Sequence, residues 1–263
     1  MFEDIYKNAL GRAAARVLAT PFVSYAAGAF MDSRLSKPLI KPFARKNGID
    51  LSEAADTSFR SFNAFFTRRL KEGARPVCDE DGALASPCDG LLSAFPIEKG
   101  SSFLIKGTRY SLKDLTGDEE SQRVFDGGLC LIFRLTPAHY HRYAFPCDGK
   151  ILAHKHIKGI YHTVRPTALG NVQVFKTNTR EYCLCDCGAF GKMLFMEVGA
   201  LLVGRIVNRK TDGTFKKGEE KGCFEFGGST IVVLTQKDRV RLRQDLLSEN
   251  ETPVKLGERI NVR

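Results

Sequence analysis

The chain has no stretch both long and apolar enough to cross a bilayer. Its longest uncharged run, residues 17–31, is interrupted by Pro21 and Gly28 and falls short of the roughly 20 apolar residues a span requires. It also has no repeat of fixed period, no low-complexity tract, no phosphate-cradling glycine loop, no zinc-finger spacing and no aromatic-and-basic RNA motif. Nucleic acid is therefore not the expected partner. Eight cysteines stand at 78, 88, 130, 147, 183, 185, 187 and 223, with no secretion signal recognised ahead of them and no even framework of spacings. A reducing cytosol is the expectation, rather than a disulfide scaffold. Cys183, Cys185 and Cys187 alternate as strand residues do, and Cys-x-Cys-x-Cys lacks the two-residue gap that lets two thiolates grip one zinc ion. No metal site is expected.

What is present is enough hydrophobic residue, 43% of 263, for a substantial core. Lys plus Arg exceed Asp plus Glu by 40 to 30, a formal charge of +10, which points to an anionic partner such as an acidic membrane surface. Arg12 and Arg16 precede the uncharged run, and Lys37, Lys41, Arg45 and Lys46 follow it. Two placements are open: the segment lies in the interface of an anionic leaflet, or it packs as an amphipathic helix on the protein's own core. Residues 1–75 carry helical signals, with Asp56 as an N-cap before Phe59, Phe62, Phe65, Phe66 and Leu70. From Pro76 the pattern changes to short apolar or alternating runs, such as 129–135, 193–206 and 230–234, punctuated by Gly, Pro and Asp-Gly. The expected fold class is α+β: a helical, membrane-associated arm over 1–75, then a β-rich catalytic domain over 76–263.

The sharpest chemical feature is Phe226-Gly227-Gly228-Ser229-Thr230, entering the apolar run 231–234. Alone it is a turn before a strand. Other segments give it context: Phe62-Asn63-Ala64-Phe65-Phe66-Thr67-Arg68-Arg69-Leu70 with Arg75-Pro76, then Ser86-Pro87-Cys88-Asp89-Gly90, then Ile105-Lys106-Gly107 with Tyr110-Ser111-Leu112. Leu135-Thr136-Pro137-Ala138-His139-Tyr140-His141-Arg142 follows, then Thr163-Val164-Arg165-Pro166 with Asn178-Thr179-Arg180, then Val198-Gly199-Ala200 with Val203-Gly204. In this order the segments resemble the landmarks of the phosphatidylserine decarboxylases, whose self-processing motif is Gly-Ser-Thr near the C-terminus. The likeness covers roughly residues 60 to 235 in collinear blocks.

The resemblance implies a proenzyme that cuts itself between Gly228 and Ser229. Ser229 attacks the Gly228 carbonyl to give an ester, elimination leaves a dehydroalanine, and hydrolysis leaves a pyruvoyl group on the new N-terminus. Its carbonyl condenses with the substrate amine and accepts the electrons released when carboxylate leaves. A serine hydroxyl needs a base, and the base an orienting carboxylate. His141 and Asp89 match those positions, and His141 also stands as the proton donor to the substrate carbon. The implied partners are phosphatidylserine, converted to phosphatidylethanolamine, and an anionic membrane surface. The two fragments are expected to stay together within a homodimer, at the cytoplasmic face of the cell membrane. Many relatives carry a second histidine where this chain has Ala144, whereas His139 stands two residues before His141. Either His141 serves both steps or His139 takes one. Two rival readings make different predictions: decarboxylation of a soluble amino acid needs no lipid, and a noncatalytic binding module stays uncleaved.

Overall fold

The computed structural model describes residues 21–98, 102–105, 108–160, 174–199, 205–226, 229–248 and 250–262. Several sequence landmarks lie outside them: Arg12, Arg16, Lys106-Gly107, His162, Thr163-Val164-Arg165-Pro166, Ala200, Val203-Gly204, Gly227-Gly228 and residues 17–20 of the uncharged run. The strands, in chain order, are β1 (Gly90–Pro96), β2 (Ser102–Ile105), β3 (Thr108–Ser111), β4 (Leu129–Leu135), β5 (Arg142–Ala144), β6 (Gly149–Ile157) and β7 (Arg180–Asp186). They continue as β8 (Lys192–Gly199), β9 (Ile206–Asn208), β10 (Thr214–Phe215), β11 (Glu220–Phe224), β12 (Ser229–Thr235) and β13 (Thr252–Val254).

Eight of these form one antiparallel sheet in the order β10-β6-β7-β8-β12-β4-β1-β13. A three-stranded sheet, β5-β11-β9, and the hairpin β2-β3 complete the β structure of the described residues. The central strand β12 is buried at all seven positions, which is why its sequence reads as an unbroken run of Ile, Val and Leu instead of alternating. β4 and β8 flank it with Leu131, Phe133, Phe195 and Val198 in the same core. The edge strand β13 carries Pro253, tolerated there because an edge position need not donate to a ladder on both sides.

Among the described residues the helical region is more broken than the sequence suggests. There it comprises helices Pro21–Asp32, Ile40–Lys46 and Phe62–Phe66, with short 3-10 turns between them. Asp56 is not the N-cap of the phenylalanine-rich segment. That helix has five residues and is capped by Ser61, whose Oγ accepts from Ala64 N at 3.2 Å. Phe59 precedes it and Leu70 pairs instead with Ala54 in an isolated bridge, so helical spacing over-extended the element. Its phenylalanines form a second core with Ile40, Ala44 and Ala54, and Phe43 and Phe226 pack against it. None of the described helices is long and apolar enough to span a membrane, and no group of three or more potential metal ligands occurs among the described residues.

A charged pair is buried between the two sheets. Lys221, at the register shift between Glu220 and Gly222, reaches Glu197 of β8 at 2.8 Å, with 3% and 1% of their side chains exposed. Asn208 accepts from Lys221 at 2.8 Å and donates to Glu197 at 3.0 Å and Glu181 at 2.9 Å. Glu181 in turn meets His156 and His154 at the exposed end of the network. Removing one member of such a pair leaves a buried charge without compensation. Glu197→Ala is expected to destabilise the fold by about 3–5 kcal/mol, whereas Glu197→Leu together with Lys221→Met is expected to be near neutral; urea unfolding of both variants measures the difference.

Candidate active site

Ser229 is the first residue of β12, opposite Leu135 at the end of β4 and Gly199 at the end of β8. It is fully buried, and its Oγ has no hydrogen-bond partner. Beyond Leu135 the chain makes a tight turn. His139 N donates to Thr136 O at 3.0 Å, and Thr136 N donates to His139 Nδ1 at 3.0 Å. The chain then returns as β5. Phe224 N donates to His141 O at 2.9 Å, tying the turn to the strand that leads toward Ser229. The register of β4 against β12 thus delivers the histidine turn and the serine to the same end of the sheet.

His141 is also fully buried. Its Nδ1 lies 2.9 Å from the carbonyl oxygen of His139, an atom that can only accept, so Nδ1 carries the proton and Nε2 keeps its lone pair. Nε2 has no partner. The Phe66 ring lies over the imidazole with centroids 3.9 Å apart. Burial lowers the imidazole pKa from 6.5 to about 3, with further repulsion from Arg68 and His139. At neutral pH His141 is a neutral base with an open nitrogen in a dry site.

The expected partnership of Asp89 with His141 is not what the structure shows. Asp89 is held by Arg75, which donates from Nε at 2.9 Å and 3.1 Å and from a terminal nitrogen at 2.8 Å, and by Leu256 N at 2.9 Å. Arg75 also reaches Glu53 at 3.1 Å. The guanidinium fork matches a carboxylate bidentately, so the arginine fourteen residues upstream takes the carboxylate that sequence order had assigned to the imidazole. The His139 carbonyl orients His141 instead. The field of Asp89 is felt at His139, whose pKa is lowered by burial and partly restored by that carboxylate. Ala144, at the position of the relatives' second histidine, is a buried β5 residue bonded through its N to Pro87 O at 2.9 Å.

Sequence reasoning missed Asn63. Its Oδ1 accepts from Phe226 N at 3.0 Å, and its Nδ2 donates to Asp32 at 3.0 Å. The Phe226 ring lies 4.8 Å from Phe62 and 5.5 Å from Phe66. The phenylalanine-rich segment therefore fixes the chain just ahead of Gly227 and covers His141. Ser229 Oγ and His141 Nε2 are both buried polar atoms without a hydrogen-bond partner, so neither is committed to the fold.

Comparison with known proteins adds the family context. The family described as Phosphatidylserine decarboxylase matches residues 62–261. The chain is 39% identical over 261 residues to "Phosphatidylserine decarboxylase proenzyme 2" of Clostridium acetobutylicum, covering 97% of this chain and 89% of that protein. It is 43% identical over 242 residues to "Phosphatidylserine decarboxylase proenzyme" of Clostridium perfringens, covering 89% and 82%. The protein of the same name from Ruminiclostridium cellulolyticum is 39% identical over 270 residues, covering 99% and 90%.

The buried imidazole has a measurable consequence. In the unfolded chain it takes up a proton below about 6.5, whereas in the folded chain it resists until about 3. The unfolded state binds more protons between these values, so this contribution to stability is present above about 6.5 and is lost as pH falls, at up to about 1.4 kcal/mol per pH unit. In a Ser229→Ala background, His141→Asn is expected to flatten the pH dependence of unfolding free energy between pH 6.5 and 4 by about one proton. Equal slopes would place the imidazole in a solvated setting.

Proposed function

The chain belongs to the phosphatidylserine decarboxylase family and decarboxylates phosphatidylserine, and we propose that it does so after cutting itself between Gly228 and Ser229, with a pyruvoyl group made from Ser229. The observation that carries this reading is the pair of buried, unpartnered atoms, Ser229 Oγ and His141 Nε2, at one end of the sheet. The pyruvoyl carbonyl supplies an electrophile for the substrate amine and a sink for the electrons of the departing carboxylate. The residues of the chain supply the rest. His141 Nε2 is the free base for the Ser229 hydroxyl, its tautomer set by the His139 carbonyl. Asn63 holds Phe226 N, and Phe66 keeps water from the imidazole. Asp89, bonded to Arg75, acts on this site through its field at His139, not by touching His141.

The fold also suits a cut chain. Residues 229–263 contribute β12, at the centre of the eight-stranded sheet, and β13 at its edge, so backbone ladders on both sides of β12 keep the two fragments together. The proposal includes peripheral attachment to the cytoplasmic face of an anionic membrane. Phe30, Leu35 and Leu39 are exposed at 43%, 78% and 42%, beside the exposed cations Arg34, Lys37, Lys41, Arg45, Lys46 and Arg60. A 420 Å³ cleft is lined by Arg34, Lys37, Ser58, Phe59 and Arg60. Apolar side chains ringed by basic ones fit the headgroup boundary of an anionic leaflet. The homodimer implied by the resemblance belongs to the same proposal and is tested by sedimentation of the purified protein.

Intact-mass measurement of the purified protein is expected to find two chains, the smaller blocked to Edman chemistry. Hydroxylamine or borohydride is expected to abolish activity, and added pyridoxal phosphate to leave it unchanged. Ser229→Ala is expected to remain one inactive chain; a wild-type protein that is active and uncleaved overturns the mechanism. Replacing Leu35 and Leu39 with Asp is expected to weaken flotation with anionic liposomes, and so is raising the salt concentration, since the Debye length is only about 8 Å at physiological ionic strength.

A further inference from the structure

Arg68 is the other buried group near His141 that the fold does not use. The residue is 6% exposed, and its Nε has no hydrogen-bond partner. Among the described residues its guanidinium makes no hydrogen bond and no ion pair; it lies over the face of Phe65, 5.4 Å from the ring centroid. A charge taken out of water is expected to be paired or to carry a large penalty, and one face-on phenylalanine offsets only part of it. Burial works against the charged guanidinium, and the fields of Tyr140, Asp89 and Glu53 favour it, though both carboxylates are bonded to Arg75.

The position is nonetheless deliberately held. Arg142 Nε donates to the carbonyls of Thr67 at 2.8 Å and Arg68 at 3.3 Å, and the Arg142 head is anchored on Glu220 at 2.7 Å and 2.9 Å. The helix ahead of it places Phe66 on His141. Arg68 also raises the positive field at His141, so the two side chains share one site. A firmly held, largely buried guanidinium with a free donor beside His141 is built to receive an anion.

We propose that Arg68 binds the phosphodiester of the substrate lipid. This rests on phosphatidylserine being the substrate. That molecule offers two anions, and the chemistry chooses between them. The carboxylate must lose its charge as carbon dioxide leaves, so an arginine bound to it stabilises the ground state more than the transition state and slows the reaction. The phosphodiester keeps its charge throughout. A receptor for it gives uniform binding, which lowers KM and leaves kcat nearly unchanged. The planar fork of arginine suits phosphate oxygens better than the point charge of lysine.

The experiment uses the full chain carrying Arg68→Met or Arg68→Lys. With the wild-type protein active on phosphatidylserine, Arg68→Met is expected to raise KM by about 10- to 100-fold, the range for losing a charged hydrogen bond of about 1.5–3 kcal/mol, with kcat changed less than about 3-fold. Arg68→Lys is expected to fall between. Self-cleavage is expected to go to completion in both, and Arg68→Met to melt at the same or a higher temperature, because it removes an unpaired buried charge; a structural arginine would lower it. Binding is read separately by calorimetry in the uncleaved Ser229→Ala chain. Glycerophosphoethanolamine, which has the phosphodiester and no carboxylate, is expected to bind that chain and to lose affinity when Arg68→Met is added. N-acetylserine, with the carboxylate alone, is expected to be unaffected. An unchanged KM, or a loss confined to N-acetylserine, overturns the assignment to the phosphodiester; a wild-type protein inactive on phosphatidylserine overturns the substrate instead.

Discussion

The pairing of β12 with β4 and β8 is the constraint on which the site depends. Seven consecutive residues of β12 pair on both sides, and all seven are buried. A shift of one residue would turn every side chain of that strand to the opposite face. With the register fixed, Ser229 must stand where β4 and β8 both end, and the turn that follows β4 must deliver His139 and His141 to the same place. Ser229 and Ile231 share a face by alternation, and Glu197 stands opposite Ile231, so the buried Lys221 pair lies on the serine's side of the sheet. Scaffold and site are joined at the level of the strand ladder.

The helical region depends on that ladder in turn. Its phenylalanine core is closed by Phe226, which belongs to the segment entering β12, and the backbone of Phe226 is tied to Asn63. Ser36 Oγ accepts from Phe62 N at 2.9 Å, linking the short helix back to the segment after residue 32. The region read as an arm is thus, from about residue 40 onward, a wall packed on Phe226 and His141. This gives a physical reason for the family match to begin at residue 62: that residue opens the helix that covers His141.

Much of the sheet was legible because its signals are local. The run 129–135 coincides with β4, and 230–234 lies inside β12; both are apolar stretches bounded by turn residues, and burial on both faces explains their lack of alternation. Motif order singled out Ser229 and His141, and the fold sets the turn of one beside the strand of the other. The Asp56 cap failed because helical spacing of phenylalanines continued past the point where Thr67 Oγ1 bonds to Asn63 O at 2.8 Å and the helix ends. The partnership of Asp89 was not legible at all. It depends on Arg75 and Leu256, and Leu256 lies 167 residues away; no local pattern marks either.

The electrostatics of His141 fit a step that each molecule performs once. An imidazole with a pKa of about 3 takes a proton near neutral pH only against a penalty of about 5 kcal/mol, which would burden a base used at every turnover. In the proposed self-cleavage that proton would be taken a single time per chain, and a base that is correctly placed, with the right tautomer and no competing partner, would suffice for it even when weak. The same value favours the reverse transfer. Once protonated beside Arg68 in a dry site, the imidazole is a stronger acid than in water and gives up its proton readily, the property required of a donor to a substrate carbon. Burial, the first cause of the depressed pKa, therefore sharpens the donor once it is charged, but each donation carries the cost of charging it, whereas in the proposed self-cleavage that cost falls once per chain. In a chain where Ala144 stands at the second position, His139 commits its Nδ1 to Thr136 N, and His141 Nε2 is the buried ring nitrogen left without a partner.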